Sequence, residues 1–305
     1  MKRFLFNAHS WFFIALGFPF LDSASLAQSA SSDIVVRSGG AIDAVIAGKS
    51  VKLLVNGNGF NAPVLNPEAA ARLNLFSGQR IRGHIGPVKI VGTSVPLKYQ
   101  IAGLSGRGSV RWFDRPIAAA YDGSIGVSAF EDARVTLMLR PDNGAEIEFV
   151  LPLVKLPSSF GSVGTVVKIA NQTVFVQWDF TREKTLLSAA VGASLANANG
   201  GELRGAVQPT SIRLGITRPI RQLVLSKDFS IGPHLISEAE VRISDNNPGV
   251  MIPDAEADAS EIVVTAKGQS IKPDYNIQIG SNAMRKCSTI TFDNRNKKII
   301  LRCSV

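Results

Sequence analysis

Two stretches of this 305-residue chain, far apart in sequence, run through the same series of local patterns. In the first, the apolar run Val51-Lys52-Leu53-Leu54-Val55 meets the polar turn Asn56-Gly57-Asn58-Gly59. Val64-Leu65 follows, then a short helix capped by Asn66 and carrying Ala69, Ala70, Ala71, Leu73 and Leu75. In the second, Thr173-Val174-Phe175-Val176-Gln177-Trp178 meets Asp179-Phe180-Thr181. Thr185-Leu186-Leu187-Ser188 follows, then a helix with Ala189, Ala190, Ala193, Leu195 and Ala196. The order is strand, polar turn, strand, capped helix in both. A later landmark repeats as well: Ile125-Gly126 precedes the strand Val135-Thr136-Leu137-Met138-Leu139, and Ile279-Gly280 precedes Ile290-Thr291-Phe292 and Ile299-Ile300-Leu301. Two landmarks per half in the same order predict a duplicated lobe, over 28–157 and 165–305. The Ser- and Gly-rich stretch 158–164 reads as the connection between them.

The lobes are expected to be mostly β. Helix-favouring runs are scarce, and 27 Gly and 15 Pro punctuate short alternations of Val, Ile and Leu with polar residues. A hydrophobic content of 45% against 19% charged residues excludes a disordered chain. The net charge of +9 is spread along the sequence, and three Trp and three Tyr offer little to stack on bases, so nucleic acid is not an expected partner.

Residues 1–27 read as a secretory signal peptide. Lys2 and Arg3 precede an apolar stretch from Trp11 to Phe18, Pro19 interrupts it, and Ser25-Leu26-Ala27 offers small residues for cleavage. The mature protein is then expected to be exported, to a periplasm or beyond the cell, with no stable membrane span after cleavage. Cys287 and Cys303 flank two alternating runs joined by the turn-forming Asp293-Asn294-Arg295-Asn296, so the spacing predicts a hairpin whose cysteines face each other and pair in an oxidising compartment. Loss of that bond is expected to loosen the second lobe alone. Two Cys with His84 and His234 isolated elsewhere do not make a zinc site. The acidic stretch 246–260, with Asp254, Glu256 and Asp258, lacks the spacing of a calcium loop and reads as solvated.

These residues resemble the aspartic peptidases of retropepsin and pepsin type, whose lobes carry an apolar strand running into Asp-Thr/Ser-Gly and later an apolar-apolar-Gly loop beneath that turn. Asn56 stands where the family has its first aspartate and Asp179 where it has the second; Ile125-Gly126 and Ile279-Gly280 match the later loops. The resemblance covers about 40–155 and 165–305. It implies two β lobes facing across a cleft, with the segment 80–104 as a flap.

Family chemistry requires two carboxylates about 3 Å apart that share one proton. Asn56 can hydrogen-bond but exchanges no proton at ordinary pH. Gly57-Asn58 and Phe180-Thr181 also depart from the Thr-Gly that should follow each aspartate. Two readings follow from the resemblance: a monomeric scaffold, inactive as a peptidase, that binds an extended peptide or protein segment in its cleft, or an endopeptidase pairing Asp179 with a carboxylate such as Asp114 or Asp122. Other chemistries fail on context. Gly57-Asn58-Gly59-Phe60-Asn61-Ala62 follows a strand like a dinucleotide fingerprint, but Pro63 intervenes and no acidic residue lies at the required distance. No Gly-x-Ser-x-Gly elbow occurs, and no cofactor is expected.

Overall fold

The structure, a computed structural model, describes residues 33–37, 39–85, 88–156, 161–243 and 274–304. The expected signal segment and the acidic stretch 246–260 lie outside the described residues. Alternating runs extend as strands whose side chains point to opposite faces. In β1 (Asp33–Arg37), for example, Ile34 and Val36 are buried while Asp33, Val35 and Arg37 are exposed. β2 (Ala41–Ile46) and β3 (Lys49–Asn56) form a hairpin through Ala47 and Gly48, both at positive φ. The first half continues through β4 (Val64–Leu65), helix α1 (Pro67–Arg72), β5 (Gln79–Ile85), β6 (Val88–Ile101), β7 (Leu104–Phe113), β8 (Gly123–Gly126) and β9 (Arg134–Met138). β10 (Ile147–Pro152) and β11 (Val154–Lys155) lead to β12 (Val163–Ile169), which starts inside the expected connection. β13 (Gln172–Trp178), β14 (Leu186–Leu187), helix α2 (Ala189–Asn199), β15 (Gly201–Arg213), β16 (Ile216–Ile231), β17 (His234–Arg242), β18 (Asn276–Ile279), β19 (Cys287–Asp293) and β20 (Lys298–Cys303) complete the described chain. The protein is mostly β, with two α-helices among the described residues.

Two large sheets repeat one topology. The first runs β2-β3-β8-β4-β7-β6-β5, and β2 also pairs with β6 through Ala44↔Ile101, so that six of these strands close into a barrel. The second runs β12-β13-β18-β14-β17-β16-β15, with β11 added at its edge. Strand senses match step by step: β3–β8 and β13–β18 are parallel, β4–β8 and β14–β18 antiparallel, β4–β7 and β14–β17 parallel. A duplicated strand order on this scale is what the repeated sequence landmarks encode.

A third sheet mixes the halves. Its order, β1-β9-β19-β20-β10, places the closing hairpin β19–β20 between strands of the first half. The described residues form one compact body around a continuous core containing Leu53, Val135, Trp178, Ile290 and Leu301. Cys287 and Cys303 are directly opposed and disulfide-bonded, with Cα atoms 3.8 Å apart. The ladder reaches Asp293↔Lys298, so the loop is 294–297, one residue on from the expected 293–296, with Lys297 at positive φ.

Both helices start where expected, yet neither preceding side chain caps. Asn66 Oδ1 instead accepts from the amides of Ile117 and Ala118, and its Nδ2 donates to the carbonyls of Ala118 and Tyr121. Ser188 Oγ accepts from Asn276 N at 3.2 Å. In each half the residue before the helix is drawn to the segment that leads into β8 or β18, since an amide or hydroxyl buried there must be satisfied.

Candidate functional site

Parallel pairing of β3 with β8 brings Asn56 opposite Gly126, and parallel pairing of β13 with β18 brings Trp178 opposite Ile279. Each polar turn therefore leaves its strand beside an Ile-Gly segment. Asp179 N donates to Ile279 O at 2.9 Å, and Gly126 N donates to Phe60 O at 2.7 Å. A Cβ on Gly126 would sit 2.5 Å from the carbonyl carbon of Gly59, so only glycine permits this approach. Gly280 is backed in the same manner by the Glu183 and Lys184 backbone.

The two turns meet at a buried carboxylate. Asp179, 5% exposed, accepts from Asn56 Nδ2 at 3.0 Å, from Thr181 N at 3.0 Å and from Thr181 Oγ1 at 2.6 Å on Oδ1; Asn58 Nδ2 donates to Oδ2 at 3.0 Å. Asn56 Oδ1 in turn accepts from Phe180 N at 3.2 Å. The third residue of each turn, Asn58 or Thr181, thus reaches the same carboxylate, and the second residues lie against each other: a Cβ on Gly57 would stand 3.0 Å from the Phe180 ring. Oδ1 takes three of these four donors and Oδ2 one. The arrangement uses Asp179 as an acceptor throughout, and the neighbouring amide has no proton to exchange at ordinary pH.

Behind Asp179, Trp178 is fully buried, and its Nε1 donates to His234 Nε2 at 2.9 Å. That bond requires His234 to be neutral with its proton on Nδ1, which faces the Ala283 carbonyl at 3.0 Å. Burial lowers the His234 pKa to about 4, with the Ala283 contact opposing.

In front of the carboxylate lies a cavity of about 440 Å³, lined by both turns, by Arg182 and Glu240, and by the tip of the β15–β16 hairpin. The tip reaches across to the Asn56 side. Arg213 Nη2 donates to Asn58 O at 2.6 Å, the guanidinium lies 5.0 Å from the Phe60 ring centroid, and Leu214 and Ile216 share a hydrophobic cluster with Phe60, Ile90 and Phe113. Burial lowers the pKa of Arg213 and the charge of Asp179 opposes that shift. Arg182 braces the same hairpin through Thr210 Oγ1 at 3.2 Å and Ser211 O, and donates to Glu240 Oε2 on β17 at 3.0 Å.

All the turn residues singled out in the sequence, Asn56, Gly57, Asn58, Asp179, Phe180 and Thr181, meet at this centre. The alternative carboxylates do not. Asp122 accepts from Lys52 N and Arg72, and neither it nor Asp114 lines the cavity. Sequence reasoning missed Arg182, which follows the second turn directly, and Arg213, brought in by the long β15–β16 hairpin, and it read Glu240, on β17, as a solvated charge. The 80–104 segment forms β5 and β6. Among the described residues, no three His, Cys, Asp or Glu side chains are grouped to hold a metal.

Compared with known proteins, the chain matches no protein-family model and no curated protein.

Proposed function

We propose that this is an exported, two-lobed protein of aspartic-peptidase-like design whose centre no longer cuts peptide bonds and whose cleft holds an extended peptide or protein segment. The observation that carries the reading is the buried carboxylate of Asp179, lying 3.0 Å from an amide where peptidase chemistry needs a second carboxylate. The repeated strand order, with the two turns meeting at that point, supports descent from a peptidase scaffold. A cavity of about 440 Å³ beneath a strand hairpin suits main-chain recognition, in which an extended segment adds hydrogen bonds without being cleaved. The competing reading, an endopeptidase using Asp179 with a second carboxylate, has Glu183 and Glu240 as the other acids lining the cavity; Glu240 is paired with Arg182.

The test incubates the full chain with denatured casein from pH 3 to 7, with and without a statine-type inhibitor, and in parallel measures binding of fluorescent peptides from a casein digest. Binding without cleavage is expected. Cleavage that the inhibitor abolishes would establish the endopeptidase, and absence of both would remove the cleft as a peptide site.

A further inference from the structure

A second cavity, of about 320 Å³, opens on the β5–β6–β7 sheet and shares no lining residue with the cavity in front of Asp179. Its polar wall is one row across three strands: Gln79 opposes Ser94, and Ser94 opposes Arg111. The adjacent row on the same face, Ile81-Gly92-Phe113, is apolar, and the Phe113 ring lies over the bare Gly92 backbone, within 2.6 Å of where a Cβ would stand. Arg82, on a strand at the sheet's edge, and Ser109 also line the space.

This wall carries the donors of Arg111, Gln79 and Ser94 and no acid. Arg111 is half-buried, and the only hydrogen bond of its guanidinium among the described residues is from Nη1 to Asn61 Oδ1 at 3.3 Å. A guanidinium offers five N–H donors in a planar fork, so most of its capacity is unused. Burial holds Arg111 below the usual arginine pKa, and no carboxylate offsets that desolvation. The Ser94 and Ser109 hydroxyls have no hydrogen-bond partner among the described residues, although Ser94 is buried.

We infer that this cavity is a binding site for a carboxylate attached to a small aliphatic group, the carboxylate seated on Arg111 and Ser94 and the aliphatic part on Ile81 and Phe113. A planar carboxylate matches the guanidinium fork. The apolar row, Ile81 and Phe113, suits an aliphatic group, which inorganic phosphate lacks. Such a carboxylate has two sources, a free small acid or an acidic side chain of a bound polypeptide. The site is independent of the cleft reading above.

The experiment is calorimetric titration of the full chain, at fixed ionic strength, with 4-methylpentanoate, 4-methylpentanamide and inorganic phosphate. The blocked peptide acetyl-Ala-Leu-Glu-Leu-Ala-amide and its glutamine counterpart are titrated alongside. The acid is expected to bind at least about tenfold more tightly than its amide, the difference between charge-assisted and neutral hydrogen bonds. Arg111→Gln is expected to remove that preference while circular dichroism stays unchanged; Ser94→Ala, a smaller change, is expected to weaken the acid several-fold and covers the case in which Arg111→Gln fails to fold. Tighter binding of the glutamate peptide than of the free acid assigns the side-chain source, and the reverse assigns the small acid. Equal affinity for acid and amide, stronger binding of phosphate, no binding to the wild type, or full affinity in a folded Arg111→Gln would overturn the assignment.

Discussion

Asparagine and aspartate have nearly the same shape, yet at position 56 the difference decides whether the centre holds one charge or two. The amide donates to Asp179 at 3.0 Å, an attraction that a carboxylate there would replace by repulsion. Asn56→Asp is therefore expected to raise the folded pKa of one member of the pair above its unfolded value near 4. A carboxyl raised in this way loses stability as pH climbs through the unfolded value toward the folded one, at about 1.4 kcal/mol for each pH unit that separates the two. The melting-temperature gap between wild type and variant should be small at pH 4 and widen toward pH 7. A gap of constant size across that range would show that the two side chains are not neighbours in solution. The pairing of Asn56 with Asp179 followed from sequence because both turns end similar strands and both halves carry an Ile-Gly landmark. Arg213 was out of reach, because it meets Asn58 through hairpin geometry that no local pattern around it records.

At the scale of elements, the strand leading to Asp179 is tied to its neighbours by a polar chain inside the core. Trp178 on β13 donates to His234 at the start of β17, which faces the Ala283 carbonyl after β18. With a folded pKa of about 4 against about 6.5 unfolded, His234 takes up its proton in the unfolded chain first as pH falls through this window. The contribution of His234 to stability is expected to be full above about pH 6.5 and to decline toward pH 4, by about 3 kcal/mol in all. His234→Gln keeps an acceptor for Trp178 and is expected to flatten the pH dependence of the urea midpoint between pH 6.5 and 4; an unchanged slope would place the acid sensitivity elsewhere. The sequence shows His234 only as an isolated histidine, since its partners are far away along the chain. The elements were easier to read: β3, β4, α1 and their counterparts β13, β14, α2 lie where the alternation and the small-residue helices put them. The caps were not, because Asn66 and Ser188 have better partners in the segments leading to β8 and β18 than in their own helices.

Across the whole molecule the expectation of two independently melting lobes gives way to the shared sheet. The Cys287–Cys303 hairpin lies between β9 and β10, so loosening it strips pairing from both halves. The bond closes a loop with a sequence separation of 16, worth about 3 kcal/mol in the chain-entropy model. Cys303→Ser is expected to lower one calorimetric transition of the entire body; a split endotherm with its first-half component unmoved would restore the separable lobes. Alternation and turn chemistry predicted the hairpin but not its insertion, since pairings such as Thr136↔Thr291 join residues that no local pattern connects.

The order of that sheet also sets when the protein can finish folding during its own synthesis. β1 and β9 can pair as soon as both have left the ribosome, but among the described residues β10 has no neighbour in the sheet except β20. Until the last strand emerges, β9 and β10 present unpaired edges, the kind of surface that recruits chaperones or sticks to other nascent chains. A chain stopped just before Cys287 would keep every residue of the Asp179 centre and still lack the strands that bind its halves together.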